Sequence, residues 1–487
     1  MARKEFEGEV VRTWMETPSG PDRPGIPRMT VRLDDGRELT GDIPTALFNE
    51  ATSLGKKLAG RRIALRANIE GGSFSRAVVL KTAAARPITA NARFLDAQIR
   101  HAIAVSRLST TEAQAILDLV DRSDADLLAK LEKRLVRGES FRTKRWAALR
   151  DDLKALRGGL WTEAHTTSRD RLVELAKAEQ DLAKAMVSDI IPVQFDWATA
   201  PVATLRAIVT AEPFAAGPDG ARLLSQWWER TSAADQRRIL EAIQLGIAQQ
   251  EPIQPIVSRV RKGLAMSRNN AESVVRTAVN HVSNKAREAF FGENSDLAGD
   301  LMWVSTLDGR TTPICRSRDH HFAPGPGRER AANTPRLDPP GARPPAHVSC
   351  RSTMVQVLDA SAIADRMPER PFVRDTRTRR WRERDFREEA REAAGPAWKS
   401  MDRAQRTAAV RTIRKRWTAE NIGQVPGKVS YDDWLRRQPE TFQDEVLGPG
   451  RGKLFRAGLK MDKFVDRRGA TLTLAELKER YSELVGG

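Results

Sequence analysis

Cys315 and Cys350 are the only two cysteines in a chain of 487 residues, and three of its six histidines, His320, His321 and His347, share their stretch. Thiolate and imidazole are the ligand types of structural zinc. His347 and Cys350 form an H-x-x-C pair, short enough for both side chains to reach one ion. Cys315 with His320 or His321 supplies the other half from across a loop. Cys315, His320, His347 and Cys350 are therefore candidate metal ligands, at a spacing that is not that of a standard zinc finger. The loop contains Pro324, Pro326, Pro335, Pro339, Pro340, Pro344 and Pro345. Proline lacks the backbone donor that helices and sheets need, so such a loop needs a staple. A bound zinc, a Cys315–Cys350 disulfide, and packing without any ligand are the three readings.

A second chemistry is a hydrolytic metal site built from Asp308, Arg310, Asp319, His320 and His321, acting on phosphodiesters. Against it, the acids near the loop lack a clear pairing. No G-x-S-x-G, P-loop or H-E-x-x-H occurs in a suitable context. The expectation is a protein that is not an enzyme, with a metal-dependent nuclease or effector as the alternative.

The element preceding the loop must position it. A helix opening near Ser267 or Asn270 carries an apolar stripe of Val275, Val279 and Val282. Thr277, His281 and Asn284 form a polar stripe, and Arg276 and Asn280 another. Packed against a metal loop, such a stripe would orient its ligands; otherwise it is a solvated face.

Lys and Arg number 82 against 64 Asp and Glu, giving a net charge of +18 and a pI near 10.3. That field favours polyanions, with double-stranded DNA the first partner to consider. Hydrophobic residues make up 40% and mean hydropathy is −0.50, as in soluble globular chains. No apolar run approaches the roughly 20 residues that span a bilayer. The opening MARKEFEGEVV lacks the apolar segment of a secretory signal. A reducing cytoplasm is thus expected, where cysteines serve as thiols or ligands.

The length predicts several domains. The fold class expected is multidomain and mainly α. Residues 1–84 read as a small β-barrel-like domain of the SH3 or OB type, with a hairpin signal at Asp35-Gly36, a Pro-rich loop at 18–27 and one short helix, TALFNEATSLGKKL. Residues 85–255 read as an elongated helical bundle, with a capping box at Ser109 and Glu112 and a helix stop at Gly158-Gly159. Residues 256–360 read as an α+β central domain with the long Pro/Gly-rich loop. Residues 361–487 read as an Arg-rich helical segment followed by a compact helical C-terminal domain. Trp434, Leu435, Phe442, Val446, Leu447, Leu454, Phe455 and Phe464 would form the core of that last domain, and Thr473 with Glu476 would open its last helix.

The strings RTAVNHVSNKAREAF, LDGRTTPICR and RPPAHVSCRST together resemble the phage head morphogenesis family, the Mu-type minor head or minor capsid proteins. That pattern is D-x-R-T, a cysteine, then P-P-x-H-x-x-C-R after a variable loop. The matching positions are Asp308, Arg310, Thr311, Cys315, Pro344, Pro345, His347, Cys350 and Arg351. The helical region at about 90–260 and the tail from Asp433 also look similar to the flanks of tailed-phage and prophage relatives. His320-His321 and the long loop depart from the pattern. The resemblance implies a structural, portal-associated protein acting in head assembly and in DNA packaging or ejection. Its partners would be the portal protein, other capsid proteins and double-stranded DNA, with no membrane during assembly. It would sit in the virion head or at the portal vertex, and in the host cytoplasm during assembly.

Overall fold

A computed structural model describes residues 4–16, 26–33, 37–42, 62–70, 73–83, 90–135, 143–190, 197–215, 220–249, 251, 253–357, 369–467 and 469–484. The chain divides into two compact units, Met1–Thr89 and Ala90–Gly487. The Asp35-Gly36 turn, most of the Pro-rich stretch and the helix expected at TALFNEATSLGKKL lie outside the described residues.

The first unit contains five strands: β1 (Lys4–Glu16), β2 (Ile26–Leu33), β3 (Glu38–Asp42), β4 (Arg62–Glu70) and β5 (Ser73–Ala83). They pair in the closed order β1-β2-β3-β5-β4. Every pairing is antiparallel except β3 with β5. Met29, Val31 and Leu39 are buried.

The second unit is built on long helices: α1 (Ala90–Leu135), α2 (Thr143–Ser188), α3 (Val202–Thr210), α4 (Leu224–Ala248) and α5 (Ile253–Glu293). Between α3 and α4 lies a small hairpin of β6 (Phe214–Ala215) and β7 (Ala221–Arg222). The capping box expected at Ser109 does not open a helix, because α1 runs straight through it. Ser109 donates its hydroxyl to the Ser106 carbonyl at 2.8 Å, and Glu112 accepts from Arg171 on α2. Nor does Gly158-Gly159 stop α2. Glycine in a helix interior costs about 1 kcal/mol, and burying the helix's apolar stripe outweighs that. Leu160, Trp161, Leu172 and Ala176 of α2 pack with Ile116 and Val120 of α1 and Val275 and Val279 of α5.

Beyond α5 come two three-stranded sheets. In the first, β8 (Asp300–Val304) lies between β10 (Phe322–Ala323) and β11 (Thr353–Val357), both antiparallel to it. In the second, β9 (Leu307–Asp308) pairs in parallel with β12 (Glu369–Val373), which pairs antiparallel with β13 (Ile422–Pro426). Strand pairing and a shared core thus join the central segment to the C-terminal region. A short helix, α6 (Pro313–Arg318), follows β9, with Pro313 in its first turn.

The C-terminal region holds a helical hairpin, α7 (Arg379–Ala394) and α8 (Arg403–Asn421), then α9 (Tyr431–Arg436), α10 (Glu440–Leu447), α11 (Pro449–Arg456) and α12 (Leu474–Arg480). Trp434, Leu435, Phe442, Leu447, Leu454, Phe455 and Phe464 share one buried cluster with Leu307, and Val446 packs against it. Thr473 caps α12, accepting from the Glu476 N–H. No described helix is long and apolar enough to cross a membrane.

Candidate metal centre

Cys315 lies inside α6, and His347 and Cys350 lie on the turn leading into β11. Cys315 Sγ is 3.2 Å from His347 Nε2 and 3.7 Å from Cys350 Sγ. The three ligand atoms lie within 4.8 Å of one another. Both cysteines are free and buried, and their sulfurs are well beyond the roughly 2.05 Å of a disulfide. His347 Nδ1 donates to the Val348 carbonyl at 2.9 Å, which leaves Nε2 as the lone-pair nitrogen facing the sulfurs. This arrangement is compatible with a metal site.

Charge is divided unevenly among the three groups. Burial pushes the Cys315 thiol well up, reinforced by the hydrogen bond with Cys350 and by its charge. Burial also opposes a Cys350 thiolate, but hydrogen bonds from Cys315 and His347 and the His347 charge hold it well below the ordinary thiol range. Burial lowers His347, but its hydrogen bond with Cys350 and the Cys350 charge raise it overall. Cys350 is therefore the readier of the two sulfurs to ionise, and a bound cation would favour the ionised form of both.

The cluster hangs on α5. Thr277 Oγ1 accepts from the Ser349 N–H at 2.8 Å, and Asn280 Nδ2 donates to the Ser352 carbonyl at 2.9 Å. Asn284 Oδ1 accepts from the Met354 N–H at 2.8 Å and from Thr353 Oγ1 at 2.9 Å. Arg287 Nη2 donates to Thr353 Oγ1 at 2.8 Å. The face of α5 that meets the turn is thus Thr277, Asn280, Asn284 and Arg287. His281 points elsewhere, its ring 5.3 Å from that of Phe214. From α1, Gln98 adds a second amide clamp, accepting from the Gln356 N–H at 2.7 Å and donating to the Gln356 carbonyl at 3.0 Å. These amides satisfy backbone groups along the β11 edge that no strand covers among the described residues.

Asp308 and Arg351 form a bidentate pair, at 2.5 and 2.9 Å. Asp308 Oδ1 also accepts from Thr311 Oγ1 at 3.0 Å and from the Arg310 N–H at 3.1 Å. The Arg310 side chain is exposed. The D-x-R-T residues thus form a turn locked to the residue after Cys350. Ser305 links the two halves further, donating to the Cys315 carbonyl at 2.7 Å and lying 3.2 Å from Ser352 Oγ.

His320, expected as a ligand, is placed outside the cluster. It follows the end of α6 in the left-handed region, with φ 61°, which turns its ring away from Cys315. Its Nε2 accepts from Arg370 Nη1 at 2.8 Å. Burial and the Arg370 charge lower its pKa to about 4, despite the neighbouring Asp319. His321 donates to the Asp319 carbonyl at 3.2 Å.

Sequence reasoning missed Arg370. It reaches Asp319 Oδ1 and Oδ2, at 3.0 Å each, and the carbonyls of Ser305 and Val429 at 2.6 and 2.9 Å. Asp319 also accepts from the Ser305 N–H at 2.6 Å and the Tyr431 N–H at 2.7 Å. Nothing in the sequence around Asp319 pointed to a cation 51 residues away.

Residues 236–355 match a family model described as Phage Mu protein F like protein. The match takes in the end of α4, all of α5, the D-x-R-T turn, the three clustered ligands and most of β11. It bears out the resemblance to the head morphogenesis family over this segment, which is narrower than the flanking similarity read from 90–260 and the tail. No curated protein and no solved structure matches the chain.

Proposed function

We propose that the chain is a structural minor head protein of a tailed phage or prophage, associated with the portal vertex and acting in head assembly and in DNA packaging or ejection. The observation that carries this reading is the Mu F-like match over residues 236–355. The way its motif residues are used supports it. Both oxygens of Asp308 are taken up by Arg351, Thr311 and a backbone N–H. Those of Asp319 are taken up by Arg370, Ser305 and Tyr431. Carboxylates engaged in this way hold a fold together and are poorly placed to activate water. The protein is on this reading not an enzyme.

Within that role, Cys315, His347 and Cys350 hold a structural zinc. Zn–S bonds of about 2.3 Å at tetrahedral angles place two sulfurs about 3.8 Å apart, against the 3.7 Å between Cys315 and Cys350. Zinc would supply the fixed charge that keeps both thiols ionised, and would tie α6 to the turn before β11. A ligand from water or from a neighbouring protein would complete the tetrahedron.

Other head proteins are the expected partners, and DNA contact follows from the net charge of +18. The test is assembly. Deleting the coding region from its phage should leave heads that are malformed or lack DNA, and the wild-type chain in trans should restore them. Normal, infectious heads without the chain would overturn the reading.

A further inference from the structure

We propose that the outer face of α8, centred on Arg411 and Lys415, is the surface on which this chain docks double-stranded DNA. The inference rests on the DNA contact proposed above and says where that contact is made.

The chain's charge is concentrated at this hairpin. Residues 374–417 carry 15 Lys and Arg against 7 Asp and Glu, so less than a tenth of the chain supplies +8 of its net +18. The hairpin has its own core of Phe386, Ala390 and Ile413, with Trp398, Val410 and Trp417 packed against it. Ile413 is the one buried residue of α8. The acids of α7 neutralise much of the inner side. Glu383 pairs with Arg414 and Glu389 with Arg416, both across the hairpin, while Glu388 pairs with Arg391 on α7 itself.

The outer side of α8 is different. At about 100° per residue, Ala404, Thr407, Ala408, Arg411, Thr412 and Lys415 share the arc opposite Ile413. No acid lies in that arc, and the one acid of α8, Glu420, falls outside it. Arg403, Arg411 and Lys415 are exposed, and no carboxylate partner is found for them among the described residues. Thr407 and Thr412 turn their hydroxyls back onto the carbonyls of Arg403 and Ala408, at 2.8 and 3.2 Å.

The outcome is a low ridge of methyl groups from which long cations extend. Arg411 and Lys415 lie one turn apart, about 6 Å along the axis at about 1.5 Å per residue, a pair suited to neighbouring phosphates of one strand. Small side chains let a polynucleotide backbone approach closely. The contact is assigned to the phosphate backbone, where binding by cations is independent of sequence.

The test measures binding of the full-length chain to a short duplex, in two unrelated sequences, by fluorescence anisotropy across a range of KCl. Arg411→Gln with Lys415→Gln should weaken both sequences equally and lower the slope of log K against log salt by about 2, roughly one per cation removed. Arg237→Gln with Arg261→Gln, exposed cations on α4 and α5, should leave the slope unchanged. If the wild type binds and the α8 variant keeps the full slope, DNA docks elsewhere and this assignment falls while DNA contact survives. If the wild type binds no duplex, both fall. If polyglutamate competes as well as DNA at equal charge, the face belongs to an acidic protein and the assignment is overturned.

Discussion

Arg370 and Asp319 meet through both guanidinium Nη atoms and both carboxylate oxygens, 3.0 Å apart in each case, with side chains only 3% and 1% exposed. The pair joins the Mu F-like segment to the region that follows it. Arg370 stands on β12, and besides His320 its other bonds reach backbone on either side of the junction, at Ser305 and Val429.

Removing the cation should therefore do more than loosen a surface. Arg370→Met leaves Asp319 buried with two backbone N–H donors but no cation, which costs about 3–5 kcal/mol. Urea unfolding of the purified chain would measure it. A loss below about 1 kcal/mol would mean that the pair behaves as a surface ion pair.

The amide clamps on β11 make a separate prediction. Asn284→Ala strips the acceptor from the Met354 N–H, and Gln98→Leu strips both partners from the backbone of Gln356. Each should destabilise by about 1–3 kcal/mol, the cost of a buried polar group left unpaired. Amide hydrogen exchange should quicken at Met354 in the first variant and at Gln356 in the second. Unchanged protection at those sites would contradict the clamp.

The zinc proposal predicts about one equivalent of zinc per chain by elemental analysis. Cys350→Ser should abolish it and lower the melting temperature, while His320→Ala should keep the metal, because His320 bonds to Arg370 instead. Metal-free protein with two freely titrating thiols would reject the proposal.

Acid sensitivity should come in part from His281 and His320. Burial lowers each to about 4, below the ordinary value of about 6.5. His281 packs on Phe214 near Lys285 and Glu288, and its buried Nε2 has no partner among the described residues. His320 faces Asp319, Arg370, His321 and Asp433. Between these pH values the unfolded chain binds the extra protons. Stability is therefore full above about pH 6.5 and falls as pH drops toward 4, by on the order of 3 kcal/mol per histidine. His281→Phe should flatten this slope by about one proton. An unchanged slope would show that His281 protonates freely in the fold.

The sequence was most readable where chemistry is local or residue types are scarce. Two cysteines and an H-x-x-C pair pointed to Cys315, His347 and Cys350, which the fold brings together. The aromatic spacing of the tail pointed to a core that the fold buries. Partnerships made across long separations were not readable. Gln98 and Gln356 are 258 residues apart, and Arg370 and Asp319 are 51 apart, and nothing in either neighbourhood specifies its partner. His320 misled because proximity to Cys315 in sequence says nothing about direction once a helix end intervenes. Ser109 and Gly158 misled because tertiary burial overrides a local stop signal.

On the function proposed here, this chain is a structural part of the head at the portal vertex. The most direct measurement is quantitative mass spectrometry of purified, cross-linked particles, counting the chain against the portal subunit. The chain should be present at low copy, comparable to the portal, and cross-linked to it. Absence from particles, or a copy number matching the shell protein with no portal cross-link, would contradict it.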